Sequence, residues 1–539
     1  MTGAGTVYLF ASGDSREAAN RTCWPAQAEM EARLTEAVAA AGGSLVRAHP
    51  VKKADGHGFL ASTREGMAAF AGIDADAPVI VAEAAWQYSN HVLPGLLHHR
   101  GPVLTVANWS GQWPGLVGML NLNGSLTKAG RAYQTLWSGD FTDAFFRDGL
   151  RDWLAGKDIA HDAAHLARFR AADAPAECRR LGGELAEALR RDKVLLGVFD
   201  EGCMGMYNAI LPDELLAPLG VFKERLSQSA LYYATCEVPD AEAEAVLGWL
   251  EKAGVAFAFG EDEETELTRA QVLTQCKLYI AAAREAGRLG CDAIGIQYQQ
   301  GMKDLLPASD LAEGMLNNAE RPPVTGPDGA EIRPGAPVLH FNEVDEGAGL
   351  DAVISARVHA ALGEPVETTL HDLRWGDIDR SGESDDFIWV FQISGAAPPA
   401  HYGGWEHASA WRQRPMYFRL GGATLRGVAK PGAFVWSRIF VAGGRLNMDI
   451  GTGEARELPE AESERRWQAT SHEWPIMHAV TLGVSRDQMM ARHKANHVQV
   501  AYASSPGAAR EIVAVKAAMA DALGIDVTLC GAAARLDDG

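Results

Sequence analysis

Short apolar runs alternate with longer stretches of helical spacing through the first two thirds of this chain. Residues 7–11, 78–81 and 102–107 are almost wholly apolar and bounded by polar or glycine-rich segments, which predicts buried strands. Residues 24–41 carry amphipathic helical spacing and close on Gly42 and Gly43. Strands alternating with helices predict a parallel, doubly wound sheet. A charged, Ala-rich helical connector covers 148–191. A second unit of the same kind then opens with strand 194–199 and continues through helix 268–289, strand 292–296 and strand 337–341. Beyond Asp372 the rhythm changes. Residues 387–393, 416–420, 425–428, 435–441 and 446–450 read as strands split by Gly-rich turns, which predicts an antiparallel sheet or barrel. The predicted architecture is α/β: two Rossmann-like doubly wound domains, 1–180 and 181–353, then a mostly antiparallel β domain, 354–539.

Composition narrows the function. The 539 residues are 47% hydrophobic and 22% charged, as in ordinary globular proteins. The formal net charge of −21 argues against nucleic acid or an anionic membrane surface as partner. No apolar run has the length of a membrane span. The opening MTGAGTVYLF reads as a first strand rather than an export signal. The seven cysteines are scattered with no CxxC pair, so neither a zinc cluster nor a disulfide framework is expected, and a reducing cytoplasm is.

Candidate chemistry collects where predicted strands end, the edge at which α/β sheets bind ligands. Arg16 follows the first strand, Trp86 the second, and Trp109 and Trp113 the third. No Gly-Lys-Ser/Thr ending and no GxGxxG accompanies these loops, so no nucleotide site is predicted. Aromatic faces and amides suit a sugar better. Gln297, Gln299 and Gln300 repeat the theme after strand 292–296.

The densest acidic stretch is 342–375, reading NEVDEGAGLDAVISARVHAALGEPVETTLHDLRW. Glu343, Asp345 and Glu346 follow a strand. Gly347 and Gly349 permit a turn, and Asp351 can cap a helix that Gly363 and Pro365 end. The run 366–370 then delivers Asp372 and Arg374. In a parallel crossover both acidic clusters would share one sheet edge, where they need a cation, a proton or water between them. In the tail, His493 and His497 are four apart and suit one helix face, whereas His478 follows an apolar turn.

The order Glu-x-Asp-x-x-x-Gly, a helix, then Asp-x-Arg resembles the metal site of L-fucose isomerase. Further landmarks of that family follow in order: Trp86, the Pro114-Gly115 loop, Gln300 counted back from Asp304 and Pro307, and the loop ISGAAPPAH beginning at Ile393. The resemblance implies that Glu343 and Asp372 bind a divalent cation, usually Mn²⁺, with Mg²⁺ or Co²⁺ as substitutes. Aligned to the family, His478 completes the set. An Asn precedes that histidine in better-known members; here Met477 stands there, which leaves the substrate open. The implied activity is aldose–ketose isomerisation of an L-fucose- or D-arabinose-like sugar through a cis-enediol. Glu343 and Asp372 double as acid and base, and Trp86, Gln300, Ser394 and Arg16 contact substrate. A homo-hexamer is implied as well. The alternatives are the same site on another deoxy-, pentose or acidic sugar, a metal-dependent aldolase or epimerase, and a non-catalytic sugar-binding protein.

Overall fold

A computed structural model describes residues 5–534. Strands β1 (Thr6–Phe10), β2 (Ser44–Arg47), β3 (Val79–Glu83), β4 (Val103–Asn108) and β5 (Gln134–Ser138) form a parallel sheet in the order 2-1-3-4-5. That order is a doubly wound one, with a topological switch beside β1. Strand β6 (Leu166–Arg168) interrupts the expected helical connector and pairs far away, as described below. Strands β7 (Val194–Phe199) and β8 (Val221–Leu226) begin the second sheet. After β9 (Ala256–Phe257), strands β10 (Ala293–Ile296) and β11 (Leu339–His340) complete it in the parallel order 11-10-7-8. The apolar runs that predicted β3, β4, β7 and β10 are buried almost throughout, as strands covered on both faces must be.

The third sheet holds β12 (Thr368–Ile378), β13 (Phe387–Gln392), β15 (Gly432–Ala442), β16 (Arg445–Ala455), β17 (Met477–Thr481) and β18 (His497–Tyr502), while β14 (Ser409–Ala410) pairs with β9. The order is 15-18-12-13-17-16, and β15 also pairs with β16, so these strands close an antiparallel barrel. Strand β19 (Asp526–Cys530) adds to β16 in parallel, and β6 adds to β19. The N-terminal third therefore lends a strand to the C-terminal sheet. Residues 416–420 form turns rather than a strand. Gly421 and Gly422 take left-handed angles there, and Tyr417 and Phe418 turn inward.

The acidic stretch departs from expectation in three ways. Its helix, Glu346–Leu362, starts nearly two turns earlier than predicted. Asp345 is the cap, its carboxylate accepting the Ala348 N–H at 3.0 Å. Asp351 lies inside the helix, buried and bound by Lys516 and Ser437. Gly347 and Gly349 make no turn: they let the helix press on its neighbours. A β-carbon at Gly347 would meet the Ile439 carbonyl at 2.6 Å, and one at Gly349 the Phe341 ring at 2.7 Å. Finally, β11 and β12 belong to different sheets. The two acidic clusters meet across a sheet–barrel junction, not along one parallel edge. Among the described residues no helix is long and apolar enough to cross a membrane.

Candidate active site

Glu343 reaches the junction through a strained turn. After β11, Glu343 and Val344 both adopt left-handed backbone angles, φ 57° and 58°. For a β-branched residue such as Val344 that is costly and needs support from its surroundings. Here Val344 is buried, and Asn317 clamps the strand end. The His340 N–H donates to Asn317 Oδ1 at 2.8 Å, and Asn317 Nδ2 donates to the His340 carbonyl at 2.9 Å. Strain of this kind at a strand end sets the direction of the Glu343 side chain.

Asp372 arrives by cross-strand register. In the antiparallel pair β12–β18 it stands directly opposite His497. Opposite residues of such a pair project from the same face with neighbouring side chains. His497 Nε2 lies 3.4 Å from Asp372 Oδ1 and 3.7 Å from Glu343 Oε2. Its other nitrogen, Nδ1, lies 2.8 Å from Asp345 Oδ2, which also accepts from Arg438 Nη1 at 2.5 Å. A carboxylate at Nδ1 fixes the proton on that nitrogen and directs Nε2 at Glu343 and Asp372. Asn496 Nδ2 donates to Asp372 at 3.4 Å, and Gln299 Nε2 to Glu343 at 3.3 Å.

Glu343 and Asp372 open on a cavity of about 420 Å³, its mouth included. Arg16, Trp86 and Ser394 line it, as do Gln299, Arg374 and Tyr417. Two sequence-assigned residues are elsewhere. Gln300 is exposed and turns toward the Gly202 carbonyl, and its neighbour Gln299 takes the wall position. His478 sits on β17 opposite Val390, with β13 between it and Asp372. Its charged surroundings are Arg466, Glu462 and Asp379, and it does not line the cavity. Nor do His493 and His497 share a helix face. The helix Arg486–Arg492 ends before His493, and His497 begins β18.

Burial dominates the electrostatics. It pushes the Glu343 carboxyl up to about 7, with Asp372 adding like-charge repulsion and His497 opposing. It raises Asp372 as well, again against His497. For Asp345 burial also acts upward, but Arg438 and His497 outweigh it and hold this carboxylate below its ordinary range. His497 is the mirror case: burial acts to lower it, and the bond to Asp345 with the neighbouring carboxylates raises it instead.

Among the described residues no three His, Cys, Asp or Glu side chains already enclose one point as metal ligands do. The donor chemistry nevertheless fits a divalent ion. Two carboxylates and one imidazole face one another, the imidazole is backed by a carboxylate, and Gln299 Oε1 and Asn496 Oδ1 are buried without hydrogen-bond partners beside them. Compared with models of known protein families and with curated proteins, the chain matches none. Local spacing missed Arg438 and Asn496, and it picked out His497, Asp345 and Gln299 without their roles. One signal was present: Asn496-His497 is an Asn-His pair, the feature that Met477-His478 lacks.

Proposed function

We propose that the chain is a metal-dependent aldose–ketose isomerase resembling L-fucose isomerase, with Glu343, Asp372 and His497 as the residues that would hold Mn²⁺ or a similar ion. One observation carries the reading. The β12–β18 register sets His497, preceded by Asn496, beside Asp372 and within reach of Glu343. The sequence resemblance requires a Glu, an Asp and an Asn-His pair, and these residues supply them in one place. Such an ion, when bound, polarises a carbonyl and acidifies the neighbouring hydroxyl.

The chain's own groups do the rest. A base that removes a proton from C2 of an open-chain aldose and returns it at C1 works best with a pKa near neutrality. In the metal-free site burial brings Glu343 there. Gln299 orients Glu343, and Asn496 orients Asp372. Asp345 and Arg438 hold the His497 ring so that Nε2 stays turned to the site. Trp86, Phe418 and Trp474 give the cavity apolar walls that exclude water and suit the C–H faces of a sugar. The resemblance also carries a homo-hexamer, which sedimentation of the purified chain checks.

The test is a panel of aldoses incubated with the protein and Mn²⁺ in deuterated water. Ketose formation with deuterium entering at C1 is expected. If no aldose yields ketose and no divalent ion binds the protein, the reading is wrong.

A further inference from the structure

Three buried donors on the cavity wall have no partner among the described residues: Arg374 Nη1, the Tyr417 hydroxyl and Trp86 Nε1. Arg374 is the unusual one. It is 1% exposed, and its hydrogen bonds run only to neutral oxygens: Nε donates to the Gly111 carbonyl at 3.0 Å, and Nη2 to the Gln112 carbonyl at 3.2 Å and Ser471 Oγ at 3.4 Å. The other cavity arginine, Arg16, is neutralised by Asp14 at 2.7 Å, and Arg414 nearby by Glu473 at 2.8 Å. A buried guanidinium without a carboxylate in contact is costly to maintain. The backbone also singles it out. Between Leu373 and Trp375 the register of β12 against β13 shifts, and Arg374 is the extra residue of that bulge. Bulges of this kind re-aim one side chain beside a functional site.

Taken with the isomerase reading on which it rests, the geometry points to a substrate that carries an anionic group, a carboxylate, at the end remote from its carbonyl, as a uronic acid does. Arg374 would receive that carboxylate, with Tyr417 as a second donor. Asp372 and Arg374 line the same cavity, so one molecule can meet both. The single free guanidinium nitrogen matches a singly charged carboxylate. A phosphate dianion would ask for more positive charge than one arginine supplies.

The experiment is calorimetric titration of the full chain, without added metal, using D-galacturonate, D-galactose and D-ribose 5-phosphate. Galacturonate should bind about tenfold or more tighter than galactose, the difference a hydrogen bond to a charged group makes. The phosphate should bind no better than galactose. Arg374→Gln should erase the preference, and Arg374→Lys should keep part of it. Should either lose its fold, Tyr417→Phe removes a hydroxyl with no partner to strand and should weaken galacturonate several-fold. Equal binding of galactose and galacturonate, a preference that survives Arg374→Gln, or tighter binding of the phosphate overturns the inference. The isomerase reading fails separately. Uronate binding with no ketose from any sugar leaves this carboxylate site standing without the reaction; ketose from neutral sugars without uronate binding does the reverse.

Discussion

Strands β18 and β17 flank the hairpin β12–β13 on opposite sides, and each brings one fully buried histidine to it. His497 on β18 stands opposite Asp372 and has Asp345 on one ring nitrogen and two carboxylates facing the other. His478 on β17 stands opposite Val390, and neither ring nitrogen has a hydrogen-bond partner among the described residues. Burial is the leading influence on both rings and acts in the same direction. In His478 it prevails and pulls the ring down to about 3, with Arg466 adding to it. In His497 the carboxylates reverse it. The neighbour across the sheet, not burial or local sequence, decides which histidine is a structural filler and which faces buried carboxylates.

The comparison is tested most severely at the carboxylates that make β18 different. Glu343→Gln and Asp372→Asn should each lower turnover by about 10³-fold, as loss of a general acid or base does, with the thermal midpoint nearly unchanged. A variant that keeps full activity removes that carboxylate from the mechanism. The histidines come next. His497→Ala should abolish Mn²⁺ binding measured by titration. Asp345→Asn should weaken it by about 10–100-fold, the usual effect of a residue that backs a ligand. His478→Leu, which deletes two unpaired buried nitrogens, should leave metal binding intact. If His478→Leu is folded but metal-free while His497→Ala binds normally, the two roles are exchanged.

Glu343 and Asp372 could be singled out because an acidic cluster after an apolar strand, a helix, then Asp-x-Arg fall in one short stretch and resemble a known metal site. The alternation of apolar runs likewise foretold two parallel sheets and an antiparallel end. His497 was not legible, because its partner Asp372 is assigned by strand register across a long stretch of chain. Read locally, four residues between His493 and His497 suggest a helix face, and nothing nearby says that the helix stops at Arg492. The strand β6 was hidden for the same reason: three residues in a charged, Ala-rich segment become a strand only because β19 offers an edge. The helix cap at Asp345 was obscured by Gly347 and Gly349, which read as a turn until Phe341 and Ile439 are seen to need the space.

Acid titration of stability separates the two histidines by sign. His478 has a folded value of about 3, below the 6.5 of an unfolded histidine. Its contribution is complete above pH 6.5 and is lost as pH falls toward 3, because only the unfolded chain takes up the proton. Between pH 6 and 4 it should add a slope of about 1.4 kcal/mol per pH unit. His49 and His401, lowered by burial to about 3 and about 4, act in the same sense. His478→Leu should flatten the denaturant-derived profile by that one increment. His497 works oppositely in the metal-free chain: its folded value is raised, so its contribution is present below pH 6.5 and fades as pH rises through that higher value. An unchanged acid slope in His478→Leu would mean that this ring is protonated in the fold.

The smallest effect divides two adjacent glutamines. Gln299 and Gln300 occupy successive positions after β10, so their side chains leave the backbone in different directions, and sequence alone cannot say which faces inward. The structure turns Gln299 to Glu343 and Gln300 to solvent. An amide that donates at 3.3 Å to a buried carboxylate steadies its charged form, so Gln299→Ala should raise the Glu343 pKa and shift the acid-side, rising limb of the pH–rate profile to higher pH. With only one long hydrogen bond lost, turnover at the optimum should fall no more than about tenfold. Gln300→Ala should change neither quantity. If the second variant moves the limb and the first does not, Gln300 faces the sugar during turnover, and the loop after β10 must rearrange when substrate binds.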